Sequence, residues 1–241
     1  MAAIVPHERF AVDEGLVMDA RAVFERLPGV RFVVGGAGTG KSTVCAEIGR
    51  HRGIDVLDVD TLLYGDWFGR FDPRRHRAGH AWSSAADPLA WQLSLDPDAF
   101  SAFHAASTAE CLDLLAADLA GRGPDVPLLV DGGFGRPAVL ARVVPAERIA
   151  CLALPARLRG RVWTGSEERR AFLAEVAAAR LPDGADPVAA FLDLDDRLHD
   201  DAIRDARAAG VAIVERDETT ALGDLVARVA AGLGIPDGRT G

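Results

Sequence analysis

Asparagine does not occur in the 241 residues, and glutamine, tyrosine and lysine occur once each, as Gln92, Tyr64 and Lys41. Without asparagine, the Asn-Lys-x-Asp motif that reads guanine in GTPases has no first residue, which argues against a GTPase. Cysteine is scarce. Cys45, Cys111 and Cys151 stand far apart with neither metal-ligand nor CxxC spacing, so they read as small buried residues of a reducing compartment. No apolar run approaches the roughly 18 residues of a membrane span, and no charged-then-apolar leader opens the chain. The expectation is a soluble, cytoplasmic protein without a membrane partner. Positive charge is in deficit as well: 27 Lys and Arg against 36 Asp and Glu leave a net charge of −9, which argues against a nucleic-acid partner.

What is present is concentrated in residues 30–43, VRFVVGGAGTGKST. Val30, Phe32, Val33 and Val34 form a short β-branched run of the kind expected for a strand buried on both faces. It leads into Gly35-x4-Gly40-Lys41-Ser42, a complete P-loop pattern in the strand-then-helix context that the motif requires. Gly35, Gly36, Ala37, Gly38, Thr39 and Gly40 would turn backbone N–H groups inward around a polyphosphate. Lys41 would reach the β and γ phosphates and Ser42 would offer its hydroxyl to Mg²⁺, while Thr43 opens a helix whose positive end faces the same anion. Of the 27 basic residues 26 are arginine, so the one lysine stands where a compact charge on a flexible stem is needed. ATP and Mg²⁺ are the cofactors this stretch implies.

In chain order, a helix is expected from Leu16 to Leu27, stopped by Pro28-Gly29, followed by the first strand and a phosphate-binding helix to Arg50. Ile54–Asp60 reads as a second strand whose last two acids, Asp58 and Asp60, share one face because they are two residues apart in extended chain. Residues 61–122 lose the strand–helix rhythm. They hold Tyr64 and three of the four tryptophans, Trp67, Trp82 and Trp91, beside Arg70, Arg74 and Arg75, and read as an insertion that closes over an acceptor molecule. Its second part, Asp98–Leu119, reads as a long amphipathic helix. Val126–Asp131 ends in an acid placed to hold a metal's hydration shell, and Gly132 and Gly133 let backbone approach a ligand that Arg136 is placed to meet. No glutamate follows Asp131 to polarise a water, which favours transfer to a bound hydroxyl. After a fourth strand, Arg148–Leu154, residues 155–187 supply Arg157, Arg159, Arg161, Arg169 and Arg170 as an arginine-rich lid. Pro182–Pro187 is a break, Phe191–Ala208 a helix, Val211–Val214 a fifth strand, and Thr219–Leu233 a closing helix.

With the P-loop, Asp58-x-Asp60, Asp131-Gly-Gly and the arginine-rich lid in hand, the chain resembles the small P-loop kinases related to nucleoside monophosphate kinases. The stretch DVDTLL is similar to the matching strand end of shikimate kinases and chloramphenicol phosphotransferases. That resemblance implies an α/β three-layer sandwich with a five-stranded parallel sheet in the order 2-3-1-4-5, and the chain's length suits one domain over residues 1–241. The resemblance also implies that Asp60 serves the acceptor hydroxyl as base or orienting group and that Asp58 lies near the metal. Phe134 departs from the Gly-Gly-Gly of shikimate kinases, and residues 61–122 have no counterpart there.

The function expected is ATP- and Mg²⁺-dependent phosphorylation of a hydroxyl on a small metabolite or natural product. The catalytic set is Lys41, Asp58, Asp60, Asp131, Arg157 and Arg161, and the metal set is Ser42, Asp58 and Asp131. Acceptor contacts fall to Asp60, Tyr64, Trp67, Arg70, Gly132, Gly133 and Arg136. Two alternatives stand beside it: a nucleoside monophosphate kinase, with Arg70, Arg74 or Arg75 on the acceptor phosphate, and a regulatory protein that binds ATP without transferring it.

Overall fold

The computed structural model describes residues 10–181 and 184–236. Residues 1–9, 237–241 and part of the expected Pro182–Pro187 break lie outside the described residues. The chain runs α1 (Glu14–Phe24), β1 (Val30–Gly35), α2 (Lys41–Arg52), β2 (Asp55–Asp58), α3 (Val59–Tyr64), α4 (Arg77–Ser83), α5 (Pro88–Leu93), α6 (Pro97–Leu119), β3 (Leu128–Asp131) and α7 (Pro137–Leu140). A 3-10 turn (Ala146–Arg148) then leads to β4 (Ile149–Ala153), α8 (Ala156–Val162), α9 (Glu167–Ala178), α10 (Pro187–Ala208), β5 (Ala212–Glu215) and α11 (Leu222–Gly232).

All strands are parallel and lie in the order β2-β3-β1-β4-β5, as the resemblance implies. Period-two alternation sorts the side chains of the central strands into two layers. Val33, Leu129, Ala150 and Leu152 face α2 and α11, where they meet Val44, Ile48, Leu225 and Val229. Phe32, Val34, Val130, Ile149 and Cys151 face the opposite way, into a larger cluster shared with α1, α6 and α10. The register sets Val33 opposite Asp131 and Asp131 opposite Asp58, so two carboxylates and the glycine-rich turn leave the sheet at the same edge.

Strand β2 is shorter than expected. It ends at Asp58 because that side chain turns back as an N-cap: Oδ1 accepts from the N–H groups of Asp60 and Thr61 at 2.9 and 3.3 Å, and Oδ2 accepts from Thr61 Oγ1 at 2.8 Å. The backbone therefore enters α3 two residues early, and the two acids are not neighbours on one strand face. Three other helices begin at an Asp-Pro pair. Asp87, Asp96 and Asp186 each cap the helix that the following proline opens, accepting from Ala90, from Asp98 and Ala99, and from Val188. Proline gives up an N–H that would be orphaned there anyway, and aspartate satisfies the next ones.

The insertion is helical and joins the sheet's own core. Helix α6 is not the amphipathic helix expected of Asp98–Leu119, since burial extends around most of its surface, from Phe100 and Phe103 to Leu112, Leu114 and Leu115. It packs against α1, α4, α7 and α10. Trp67, expected at the acceptor, is fully buried in this cluster, with Nε1 donating to Asp118 Oδ2 at 2.7 Å. Arg70, expected there too, closes a two-pronged pair on the same carboxylate at 2.6 and 3.0 Å. Both residues fasten the insertion to α6. Trp67→Ala is accordingly expected to cost about 3–5 kcal/mol of stability, the usual range for a deleted core tryptophan. Urea denaturation checks it, and an effect below about 1 kcal/mol would show that the indole contributes little to the fold. Among the described residues no helix is long and apolar enough to cross a membrane.

Candidate functional site

Between β1 and α2 the chain bends through left-handed backbone at Gly35, Gly38 and Gly40, with φ of 132°, 70° and 94°. Such angles are nearly closed to residues with a Cβ. Inside the turn, Thr39 Oγ1 and Lys41 Nζ donate to the carbonyl of Gly36 at 3.0 and 2.9 Å. No side chain caps α2, whose N-cap is Gly40, so the first N–H groups of Lys41, Ser42 and Thr43 are left facing the turn.

Neighbouring elements brace this loop. Arg216, just beyond β5, donates to Gly38 O at 3.2 Å. From the lid side Arg169 donates to Val162 O at 3.2 Å, lies 5.7 Å from the centre of the Trp163 ring, and would meet a Cβ on Gly38 at 2.8 Å. Arg169 is therefore the lid arginine at the loop. Arg157, in contrast, is exposed on α8, and Arg161 pairs with Glu218 at 3.0 Å; neither lines the cleft described below. Arg159 is buried, with Nη1 on Asp200 at 2.8 Å.

His199 of α10 lies flat beneath Gly36, only 1% exposed, and its Nε2 has no hydrogen-bond partner. Burial first, then the charges of Arg159 and Lys41, push its pKa down to about 4, so the ring is neutral. A Cβ on Gly36 would enter the space of this imidazole. Gly36→Ala should therefore destabilise the protein by about 1–3 kcal/mol through overpacking, and Gly36→Ala combined with His199→Ala should recover most of it. Chemical denaturation of the two variants decides this, and equal losses in both would discard the contact as the cause.

Asp131, at the end of β3, is 3% exposed, and its Oδ1 has no hydrogen-bond partner. Desolvation raises its pKa, opposed by hydrogen bonds from Ser42 and Cys45 and by the charge of Lys41. Gly132 and Gly133 follow at φ 78° and 71°. The carboxylate of Asp60 stands 3.2–3.5 Å from where a Cβ on Gly132 would be, and a Cβ on Gly133 would strike Val59. Asp60 thus faces the diglycine from the first turn of α3. Desolvation, followed by the charges of Asp58 and Asp131, raises the Asp60 pKa, against the pull of Lys41 and the Gly133 N–H.

Lys41, Asp60 and Gly133 open onto a cavity of ≈ 330 Å³ bounded by the loop, α3, α6, α10 and the lid. Gly35, Gly36, Ala37, Lys41, Asp60, Tyr64 and Gly133 line it, with Phe134, His104, Trp163, Phe172, Phe191, Asp195 and Leu198. Arg136, expected to meet an anion here, is turned away: its guanidinium pairs with Asp205 at 2.7 and 3.2 Å and donates to Ser101 O. Asp58, expected beside a metal, has both oxygens engaged in the cap of α3. Among the described residues no three His, Cys, Asp or Glu side chains converge as a metal site.

Several lining residues had no signal in the sequence. His104 sits mid-helix, its Nε2 3.0 Å from Gln92 Nε2, and burial holds its pKa at about 3. Asp195, on α10, accepts from Trp163 Nε1 at 2.9 Å. The three cysteines are buried, and burial raises the pKa of each thiol. No protein-family model matches the chain, and neither does any curated protein.

Proposed function

We propose that the chain is a phosphotransferase that uses ATP and Mg²⁺ to phosphorylate a hydroxyl group on a small molecule, in the manner of the P-loop kinases it resembles. The observation that carries this reading is the convergence of three groups at one sheet edge: Lys41 folded onto Gly36, the unpartnered Oδ1 of Asp131, and Asp60 across the cleft. A helix start with uncapped N–H groups and a turn with three left-handed glycines give a polyphosphate hydrogen-bond donors without side chains in the way. Lys41 would exchange its bond to Gly36 O for phosphate oxygens.

The donor set fits the metal as well. Mg²⁺ keeps most of its waters and takes one or two protein groups together with phosphate oxygens, so it needs no self-sufficient cage. Ser42 and Asp131 would hold it, and when bound it would neutralise charge on the phosphates. Asp60 would accept or orient the proton of the acceptor hydroxyl, and Arg169 and Arg216 would keep the loop in shape around Gly38. The absence of any acid directly after Asp131, where Gly132 stands, leaves no side chain there to activate water, which supports transfer to an acceptor over hydrolysis.

Titration calorimetry with ATP, with and without Mg²⁺, tests the binding half of the proposal. ADP release against an acceptor panel tests the transfer half. Tight Mg²⁺-dependent binding without transfer to any acceptor would instead support a regulatory ATP-binding protein.

A further inference from the structure

The cleft beside the loop carries information about the acceptor, given the phosphotransferase reading above. Among the described residues, Lys41 is the only cationic side chain on its wall. Of the arginines expected to meet a phosphate or carboxylate acceptor, Arg70 pairs with Asp118, Arg75 with Asp113 and Asp19, and Arg136 with Asp205, while Arg74 is exposed and lies off the cleft wall. His104 stays neutral. Two carboxylates, Asp60 and Asp195, face inward instead, and like charges brought together in a walled site are costly. Much of the remaining wall is apolar. Trp163 and Phe191 meet edge to face with centroids 4.7 Å apart, Phe172 closes on both at 5.6 and 5.4 Å, and Phe134 and Leu198 continue the surface.

We infer that the acceptor is a non-anionic alcohol bearing an aromatic or other flat apolar ring, with a second donor, a hydroxyl or an amine, for Asp195. The ring would lie on Trp163 and Phe191, leaving the reacting hydroxyl at Asp60. In the transfer, the acceptor oxygen forms the new bond to the γ-phosphorus as the bond to the oxygen of the departing ADP breaks. The hydroxyl proton passes to Asp60 and then to solvent. This wall disfavours nucleoside monophosphates and hydroxy acids, whose charge would meet two carboxylates and, among the described residues, no arginine on the wall.

A matched set of probes isolates charge from shape: 1-phenylethane-1,2-diol, 2-amino-1-phenylethanol and mandelate share a ring and a hydroxyl, and AMP represents the monophosphates. Titrations follow tryptophan emission in the presence of ATP and Mg²⁺ with Lys41→Ala, which slows turnover, and calorimetry reports ATP binding by the unsubstituted protein. The diol and the amino alcohol should perturb emission with Kd at least about tenfold below that of mandelate or AMP. That response should vanish in Trp163→Phe, and Asp195→Asn should weaken the amino alcohol more than the diol. Equal or tighter binding of mandelate or AMP, or no response to either uncharged or cationic probe at millimolar concentration, would overturn the acceptor class. Failure to bind ATP, with the diol still bound, would instead overturn the phosphotransferase reading.

Discussion

Lys41→Ala is expected to reduce phosphoryl transfer by at least about two to three orders of magnitude, the loss typical when one group stabilising transition-state charge is removed. The fold should survive, because Lys41 is a first-turn residue whose ammonium hydrogen-bonds the carbonyl of Gly36 in the loop it serves. Lys41→Arg should be poor too. A planar guanidinium is wider than an ammonium, and the turn around it is closed by Arg169 and Val162 on one side of Gly38 and by Arg216 at Gly38 and Gly40. Turnover and calorimetric ATP affinity of both variants, with melting curves as the control for folding, check the expectation. Full activity in Lys41→Arg would sink the argument from the single lysine.

The framework was legible because its strands advertise themselves in both composition and order. VRFVV, VPLLV and the run before Leu154 are short and apolar, and each ends beside a glycine, an acid or a proline. The P-loop pattern then fixes which end of the sheet matters. The turn into α3 was less legible. In DVDTLL the same alternation serves an extended strand or a capping aspartate followed by a helix, and only the competition for the N–H groups of Asp60 and Thr61 decides it. The lining of the cleft was the least legible. Trp67 and Arg70 look like ligand-facing residues in sequence, but their partner is Asp118, 51 and 48 positions away. Pairing over such a distance leaves no local periodicity to read.

The lid shows the same limit from another side. Arg157, Arg159, Arg161, Arg169 and Arg170 read as one arginine-rich lid, whereas Trp163, Thr164 and Gly165 part α8 from α9 and Ser166 caps α9, its Oγ accepting from the N–H of Arg169 at 3.3 Å. The break turns Arg169 toward Gly38 and leaves Arg161 with Glu218. A serine followed by two glutamates is itself a helix-start signal, so this part could be found in the sequence. His104, Asp195 and His199 could not, since each sits inside a helical pattern where a buried polar residue looks like any other interruption.

Asp60→Asn is expected to lower turnover by roughly two to four orders of magnitude, the usual worth of a positioned general base, with ATP affinity nearly unchanged. Asparagine keeps the shape of the side chain and the first turn of α3, so the loss would report proton handling more than packing. The pH profile supplies an independent readout. Desolvation and the neighbouring acids hold the Asp60 pKa above the ordinary aspartate value, so the carboxylate takes up a proton at a higher pH than a free aspartate would. A base must be unprotonated to act. Turnover should therefore fall as pH drops through that raised pKa, and this acid limb should disappear from the residual activity of Asp60→Asn. Asp58→Asn provides the contrast: asparagine caps a helix about as well as aspartate, so α3 should remain in place and turnover should change far less. Near-normal turnover in Asp60→Asn, or an unchanged acid limb, would move the base to Asp131, whose unpartnered Oδ1 also lies at this edge of the sheet.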